Sequence, residues 1–229
     1  MAKVVLQDEG LLVVDELMPA SLFDSIEGET ANGSYHSVHS RQWDKAWRLW
    51  DGSPLRGSSV LFDPQNRLAS DGPLYPTATS VDDLIDAIRD CSSRYPDKVG
   101  LEGSDWIAMY LSPWLYPVGS ALSLHKDDGK YSGAFTYFLH SRWETHWGGE
   151  LIVSQTSLET GDVENGGGQR SWISDEINRF NENGIATCIT PCPNRLVLLA
   201  SDRPHRVTRV DTNAGAHVRM SIAGFFLRP

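Results

Sequence analysis

The sequence predicts a mainly β (α+β) protein with helical segments early and an antiparallel β core late. After Gly103, eight short apolar or alternating segments follow one another, separated by turn residues and by no long helix. Such a run is typical of a sandwich or barrel. The segments lie at 106–111, 121–125, 134–140, 150–153, 185–189, 195–200, 205–210 and 217–227. The length of 229 residues, with no clear linker, favours a single domain (1–229) with one core.

The first part of the chain, residues 1–103, is expected to support the β core at 104–229. Short β-branched runs at 4–6 and 11–14 predict two strands. A short helix is predicted over 20–27, because a proline precedes it and its apolar residues share one face.

A second helix is predicted over 81–93 by apolar residues at helical spacing: Val81, Leu84, Ile85 and Ile88. Ser80 followed by Asp83 resembles a capping box at the start of this helix. The preceding stretch, 63–79, is rich in proline and glycine and predicts a loop.

One polar insertion, 156–183, interrupts the β-rich half of the chain. It contains three consecutive glycines, 166–168, followed by a short amphipathic segment at 172–180. Insertions of this length in a compact domain are often functional. We interpret it as a lid over a binding site, with a disordered surface loop as the alternative.

Charge and composition narrow the classes of partner. Lys and Arg number 20 against 30 Asp and Glu, so the net charge is −10. Nucleic acids and anionic membrane surfaces require clustered cations, so neither is an expected partner. The N-terminal apolar stretch contains acids and no run reaches about 18 apolar residues, which favours a cytoplasmic protein without a membrane span. Cys91, Cys188 and Cys192 are expected to be buried free thiols, with a structural zinc site at Cys188 and Cys192 as the alternative.

Eight tryptophans suggest a large binding cavity or an aromatic-rich core. Trp43, Trp47 and Trp50 recur at helical spacing in the N-terminal part. That stripe fits either a helix packed on the core or one wall of a substrate pocket.

His125 and Asp127 stand at the end of an apolar strand segment. In a strand, residues two apart point to the same face, so the imidazole and the carboxylate project together while Lys126 points away. With one distant histidine, such a pair forms the facial triad of non-haem iron(II) oxygenases. A solvated loop is the alternative for this short pattern.

A second group of residues follows the apolar strand 195–200. The chain runs from this strand to His205, and 14 residues later reaches Arg219 and Ser221. These two residues are again two apart and share a face. A guanidinium and a hydroxyl deep in a barrel suit one end of a dicarboxylate, since a buried Arg without an anion is costly.

Several motifs together resemble the iron(II)/2-oxoglutarate-dependent oxygenase superfamily, most closely its prolyl 4-hydroxylase-like branch. The resemblance covers about residues 106–227, and its elements are Tyr116-Pro-Val-Gly119, His125-x-Asp127, Trp147-Gly-Gly-Glu-Leu151, Pro193-Asn194-Arg195, His205 and Arg219-x-Ser221. It implies a double-stranded β-helix (jelly-roll, cupin-like) core with supporting N-terminal helices.

The resemblance also implies roles for individual residues. Iron(II) would be bound by His125, Asp127 and His205. Arg219, with Ser221 beside it, would pair with the distal carboxylate of 2-oxoglutarate. Tyr116 would donate a hydrogen bond to the same carboxylate, and Tyr110 competes for that role.

The implied activity is an Fe(II)/2-oxoglutarate-dependent dioxygenase that uses O2 and is stimulated by ascorbate. It would hydroxylate an unactivated C–H bond of a small molecule, such as a free amino acid or a natural-product intermediate, and release succinate and CO2. Desaturation, epimerisation and cyclisation rest on the same chemistry and stay open. The alternatives are a peptidyl or protein side-chain hydroxylase and a non-catalytic cupin-like metal-binding module. The oligomeric state is left open.

Neighbouring residues refine this expectation. Asp127 disfavours halogenation, because halogenating relatives carry a small residue in place of this carboxylate. Phe225 stands where nucleic-acid demethylases carry a second arginine, which disfavours that branch. Substrate contacts are expected from four residues near the proposed barrel mouth: Trp114, Arg142, Trp143 and Trp147.

Overall fold

The computed structural model describes residues 2–38, 49–70, 72–127, 129–155 and 184–229. Within these residues, thirteen strands form two antiparallel sheets. The strands are β1 (Lys3–Asp8), β2 (Leu11–Asp15), β3 (Tyr35–Ser37), β4 (Leu55–Gly57), β5 (Val60–Phe62), β6 (Ala108–Tyr116), β7 (Leu122–His125), β8 (Tyr131–Phe138), β9 (Leu151–Ser154), β10 (Ala186–Ile189), β11 (Arg195–Ala200), β12 (His205–Val207) and β13 (Arg219–Leu227).

The larger sheet has the order β1-β2-β11-β8-β13-β6-β4-β3, and β5 also pairs with β6. The smaller sheet has the order β10-β9-β12-β7. The apolar run of β11 reflects burial on both faces. Leu196 and Leu198 join the core beneath the helices, whereas Val197 and Leu199 join the core between the two sheets. The predicted sandwich is therefore confirmed.

Three α-helices lie among the described residues: α1 (Ala20–Ala31), α2 (Val81–Arg94) and α3 (Pro96–Val99). The apolar stripe of α2 is fully buried, with Leu84, Ile85 and Ile88 at 0% exposure. Their packing against the larger sheet confirms the amphipathic helix.

The predicted capping box at the start of α2 is wrong. Ser80 has helical backbone angles and makes no capping hydrogen bond. Its hydroxyl donates instead to Glu29 over 2.7 Å. Asp82, rather than Asp83, stabilises the turn by accepting hydrogen bonds from the backbone N–H groups of Thr77 and Ala78.

Strand β6 is longer than predicted, because it continues past 111 through Pro113 to Tyr116. The proline is tolerated since it falls in a gap between two partner strands. Pairing with β5 ends at Leu111 and pairing with β4 begins at Trp114. A residue without an N–H therefore costs little at this position.

Some sequence predictions lie outside the described residues, namely the lid at 156–183 and the tryptophans at 43 and 47. Trp50 lies in a short 3₁₀ turn, Leu49–Asp51, and is 48% exposed. Cys91, Cys188 and Cys192 are free thiols, but the predicted burial holds for Cys91 alone, since Cys188 is exposed and Cys192 is partly exposed. Among the described helices, none combines the length and the apolar character needed to cross a membrane.

Candidate active site

Three predicted ligands converge at the end of the smaller sheet. His125 closes β7 and His205 opens β12, and the two residues are direct partners in the antiparallel ladder. Asp127 follows just beyond β7, with its Oδ1 4.0 Å from the Nε2 atom of His125. One ligand atom from each of the three residues lies within 4.8 Å of the others. This group could hold one metal ion.

Backbone carbonyls orient both imidazoles. The Nδ1 atom of His125 lies 2.8 Å from the carbonyl oxygen of Ser123, and that of His205 lies 2.9 Å from the carbonyl oxygen of Arg203. Carbonyls only accept, so each Nδ1 carries the proton and each Nε2 keeps its lone pair for a metal. The backbone of Arg203 is itself held in place, because the guanidinium of this residue donates to the carbonyl oxygens of Glu9 and Gln155, each over 2.6 Å.

The chemistry of the donor set fits Fe(II). Two neutral imidazoles and one carboxylate on one side of an ion leave the other coordination positions open for ligands. Asp127 and His205 are 6% and 8% exposed, so bulk water has little access to this side. The described residues therefore match the iron predicted from the sequence.

Arg219 lies at the closed end of the same site and is 1% exposed. Its Nε donates to the carbonyl of Gly149 over 2.7 Å, and its Nη1 donates to the hydroxyl of Ser221 over 3.1 Å. Its Nη2 is buried and has no hydrogen-bond partner among the described residues. Burial lowers the pKa of Arg219 to about 10, so the group stays charged at neutral pH. An orphaned donor on a buried cation fits an absent carboxylate ligand.

The two tyrosines occupy different surroundings. The Tyr116 ring centroid lies 5.1 Å from the guanidinium carbon of Arg219, and Tyr116 is paired with Arg219 across β6 and β13. Tyr110 is paired with Phe225 further along the same strands, and its hydroxyl accepts from Ser59. Of the two predicted tyrosines, Tyr116 is the one beside Arg219.

The two glycines before β9 shape the floor of the site. Gly149 has φ +75°, and a Cβ on it would lie 2.8 Å from the Cδ of Arg219. Gly148 has φ +69°, and a Cβ there would collide with the backbone carbonyl of Arg209. Only glycine combines these backbone angles with such close approach. The Gly-Gly motif therefore has a structural explanation: the absence of side chains at 148 and 149 leaves room for the Arg219 side chain and the Arg209 backbone.

The predicted ligands share a narrow cavity of about 80 Å³, called here the metal cavity. Seven predicted site residues line it: Trp114, Tyr116, His125, Asp127, His205, Arg219 and Ser221. Apolar side chains, among them Leu122, Leu151 and Val207, form much of the rest. The cavity thus connects the possible metal site with the buried arginine.

Three of the four predicted substrate residues lie outside this lining. Arg142 is exposed and forms an ion pair with Glu144 over 2.6 Å. Trp143 and Trp147 pack edge to face, 5.2 Å apart, and Trp147 stacks on His217 at 4.4 Å. Beyond the end of β8 at Phe138, Trp143 and Trp147 join an apolar cluster that also contains Trp114 and Tyr116 of the cavity lining. A contact of Arg142, Trp143 or Trp147 with the substrate stays a prediction.

Sequence reasoning missed a polar group near Trp114. The guanidinium of Arg56 lies 5.7 Å from the Trp114 ring and donates to the hydroxyls of Ser59 and Ser112. Arg56 sits on the three-residue strand β4, which is too short to show a period-two pattern. No motif in the sequence signals its position.

This fold and site define a double-stranded β-helix built to hold a non-haem metal beside a buried arginine. The family model described as the 2OG-Fe(II) oxygenase superfamily matches residues 111–227, more than half of the chain. The chain belongs to this superfamily, which confirms a non-haem iron oxidoreductase that uses Fe(II), 2-oxoglutarate and O2. No curated protein sequence shows significant similarity to it.

Solved structures share the fold at low sequence identity. A prolyl 4-hydroxylase from Pseudomonas putida aligns with TM-score 0.61 and 17% identity over 96% of this chain and 94% of its own. A prolyl hydroxylase from Trichoplax adhaerens, in complex with a hypoxia-inducible factor peptide, aligns with TM-score 0.61 and 14% identity over 96% and 84%. The epimerase SnoN from nogalamycin biosynthesis aligns with TM-score 0.57 and 14% identity over 96% and 79%. These neighbours confirm the jelly-roll class.

Proposed function

We propose that the chain hydroxylates an unactivated C–H bond of a small molecule while 2-oxoglutarate is decarboxylated to succinate and CO2. The substrate class is a free amino acid or a natural-product intermediate. One observation carries the proposal: the His-Asp-His group and a buried arginine with a spare donor face the same narrow cavity.

In this proposal, His125, Asp127 and His205 bind Fe(II). Their side chains fix the ion at one end of the metal cavity, with both imidazoles held in the tautomer that presents Nε2. Bound iron and 2-oxoglutarate supply the oxidising power for C–H cleavage. The protein contributes position and orientation.

Arg219 binds the distal carboxylate of 2-oxoglutarate through its spare Nη2, and Ser221 and Tyr116 flank that carboxylate. Two parallel N–H donors match the geometry of a carboxylate. The carbonyl of Gly149 holds the Nε side of the guanidinium, so the fork keeps one orientation. This orientation directs the other end of the cosubstrate toward the iron ligands.

Exclusion of water is the second contribution of the chain. The cavity between the iron ligands and Arg219 is lined by Leu122, Leu151 and Val207, which offer no hydrogen bonds to water. A dry cavity strengthens the charge interactions of Arg219 and protects reactive species from side reactions. Trp114 forms the wall of this cavity nearest to Arg56 and is the proposed substrate contact.

A peptidyl or protein side-chain hydroxylase is the second candidate function. The similarity to a prolyl hydroxylase that was solved with a peptide favours it. A side chain on a peptide would enter the same metal cavity. The two candidate functions therefore differ in whether the rest of a peptide binds outside this cavity.

The test is a screen for succinate release with Fe(II), ascorbate and 2-oxoglutarate. The panel contains free amino acids, pathway metabolites and proline-containing peptides. Stimulation by a small molecule supports the proposal, and stimulation by peptides alone supports the second candidate. A protein that forms no succinate under any condition would be the non-catalytic module instead.

A further inference from the structure

A second cavity opens beside the metal cavity, on the side of β4. It has a volume of about 610 Å³ and is called here the outer cavity; Arg56, Ser59 and Tyr110 are among its lining residues. Strand pairing places Arg56 opposite Trp114, which lines the metal cavity. Tyr110 is likewise paired with Phe225, another residue of the metal cavity. The two cavities are thus neighbours across one layer of side chains.

Arg56 brings a positive charge into this outer cavity, and no carboxylate among the described residues matches it. Its guanidinium is half-buried, and burial lowers its pKa. Among the residues that the structure describes, no carboxylate forms an ion pair with it. Its partners are neutral hydroxyls: Nη2 donates to Ser59 over 2.6 Å, and Nε and Nη2 donate to Ser112 over 3.2 and 3.1 Å.

The surroundings hold the guanidinium in one place. The Tyr110 and Trp114 rings have their centroids 5.3 and 5.7 Å from its central carbon. Such cation–π contacts orient a guanidinium and leave its edge available for hydrogen bonds. Its Nη1 makes no hydrogen bond to any described residue. Among the described residues, the Arg56 guanidinium is thus held in one orientation with one nitrogen, Nη1, left to donate and with no carboxylate paired to it.

We propose that Arg56 binds a carboxylate of the substrate and so makes this chain selective for carboxylate-bearing small molecules. The inference rests on the function proposed above and names the substrate class of that site. Arg219 lies at the buried end of the metal cavity, so one cation serves the cosubstrate and the other, beyond Trp114, serves the substrate. The substrate would lie across Trp114, with its reacting carbon toward the iron ligands.

The first test measures binding without turnover. The protein is labelled with ¹⁵N-arginine and loaded with Zn(II) and 2-oxoglutarate, and the Nε–H resonance of Arg56 is assigned through its loss in Arg56→Lys. The probes are amino acids, aliphatic dicarboxylic acids and aromatic carboxylic acids, each matched with its carboxamide. We expect acids to shift this resonance and amides to leave it in place. Equal responses to acids and amides, or no response to any acid, would overturn the proposal.

The second test measures selectivity in turnover, with the acid that shifts Arg56 most and its amide. In wild type, we expect kcat/KM for the acid to exceed that for the amide by about tenfold to a hundredfold, as for a charge-assisted hydrogen bond. Arg56→Gln should bring the ratio close to one, and Arg56→Lys should retain part of it. Arg94→Gln, which removes an exposed arginine on α2, is the matched control and should keep the wild-type ratio.

The two proposals fail in different ways. If wild-type protein forms no succinate from 2-oxoglutarate, the proposed function is wrong, and the resonance of Arg56 still decides whether a carboxylate binds there. If succinate forms but Arg56→Gln keeps the wild-type ratio of acid to amide, only the role of Arg56 is wrong.

Discussion

His125 and His205 face each other across the antiparallel strands β7 and β12, with their ring centroids 4.3 Å apart. Directly opposed residues in such a pair project to the same face of the sheet. A register slip of one residue would send one imidazole to the other face. Backbone pairing therefore places two of the three metal-binding side chains, and Asp127 completes the group two residues after His125.

The first prediction concerns the orphaned donor of Arg219. We expect Arg219→Gln to raise KM for 2-oxoglutarate about 30-fold or more, because truncating one partner of a buried charge pair costs about 2–5 kcal/mol. Fe(II) affinity should stay near that of wild type, since the iron ligands are separate residues. Steady-state succinate formation measures the KM and calorimetric titration measures the metal. An unchanged KM would contradict the role of Arg219.

The second prediction separates the two tyrosines. Tyr116→Phe should raise KM for 2-oxoglutarate about three- to tenfold, as expected for one lost hydrogen bond. Tyr110→Phe should leave that KM near the wild-type value, because the Tyr110 hydroxyl contacts Ser59 rather than the Arg219 region. The KM is measured by succinate formation in both variants. The reverse pattern would assign the contact to Tyr110.

The third prediction tests the glycine floor beneath Arg219. Gly149→Ala should lower stability by about 1–2 kcal/mol through its positive φ and should also raise KM for 2-oxoglutarate, because the new Cβ displaces the guanidinium. Gly103→Ala is the matched control, since Gly103 has φ +84° and open space around its Cβ. Thermal unfolding and KM are measured for both. If both variants change KM equally, displacement of Arg219 is not the cause.

The fourth prediction concerns His140, which is buried between the carbonyls of Met220 and Pro191. Burial lowers its pKa from 6.5 to about 4, with a smaller contribution from the nearby charge of Arg219, and this outweighs the contacts with the Pro191 and Met220 carbonyls, which favour the protonated ring. Between these two pH values, the unfolded chain therefore binds a proton at His140 that the folded protein does not bind. Stability should be full above about pH 6.5 and should fall by up to about 3 kcal/mol as the pH drops toward 4.

Urea unfolding of the metal-free protein between pH 4.5 and 7.5 measures this loss. His140→Asn should show a flatter dependence on pH than wild type. His146→Asn, which removes an exposed imidazole, should follow the wild-type curve. Parallel curves for wild type and His140→Asn would rule out His140 as the source of the loss.

The sequence was informative where function depends on spacing along one strand. Arg219 and Ser221 lie two residues apart within β13, and alternation along the strand brings them together. Asp127 lies two residues after His125, just beyond the end of β7, and joins it in the metal-binding group. The strand β11 was likewise predicted at its observed bounds because its apolar run is continuous.

Other features depend on contacts between distant segments and could not be predicted. Arg56 meets Trp114 only because β4 pairs with β6, and a strand of three residues carries no periodic signal. Trp143 and Trp147 were placed at the barrel mouth from their position after a strand. Their packing with His140 and His217 is set by the path of the chain after β8. Ser80 had the right residue type for a cap but bonds to Glu29 on another helix.

The most direct test of the central claim is succinate formation from 2-oxoglutarate by purified protein with Fe(II), ascorbate and O2. Wild type, His205→Ala and the exposed-site control His146→Ala are compared at equal concentration of folded protein. We predict succinate formation by wild type and the control, and less than about 1% of that rate from His205→Ala, because loss of one of three ligands releases the metal. Succinate formation by His205→Ala at the wild-type rate would contradict the assignment of this site.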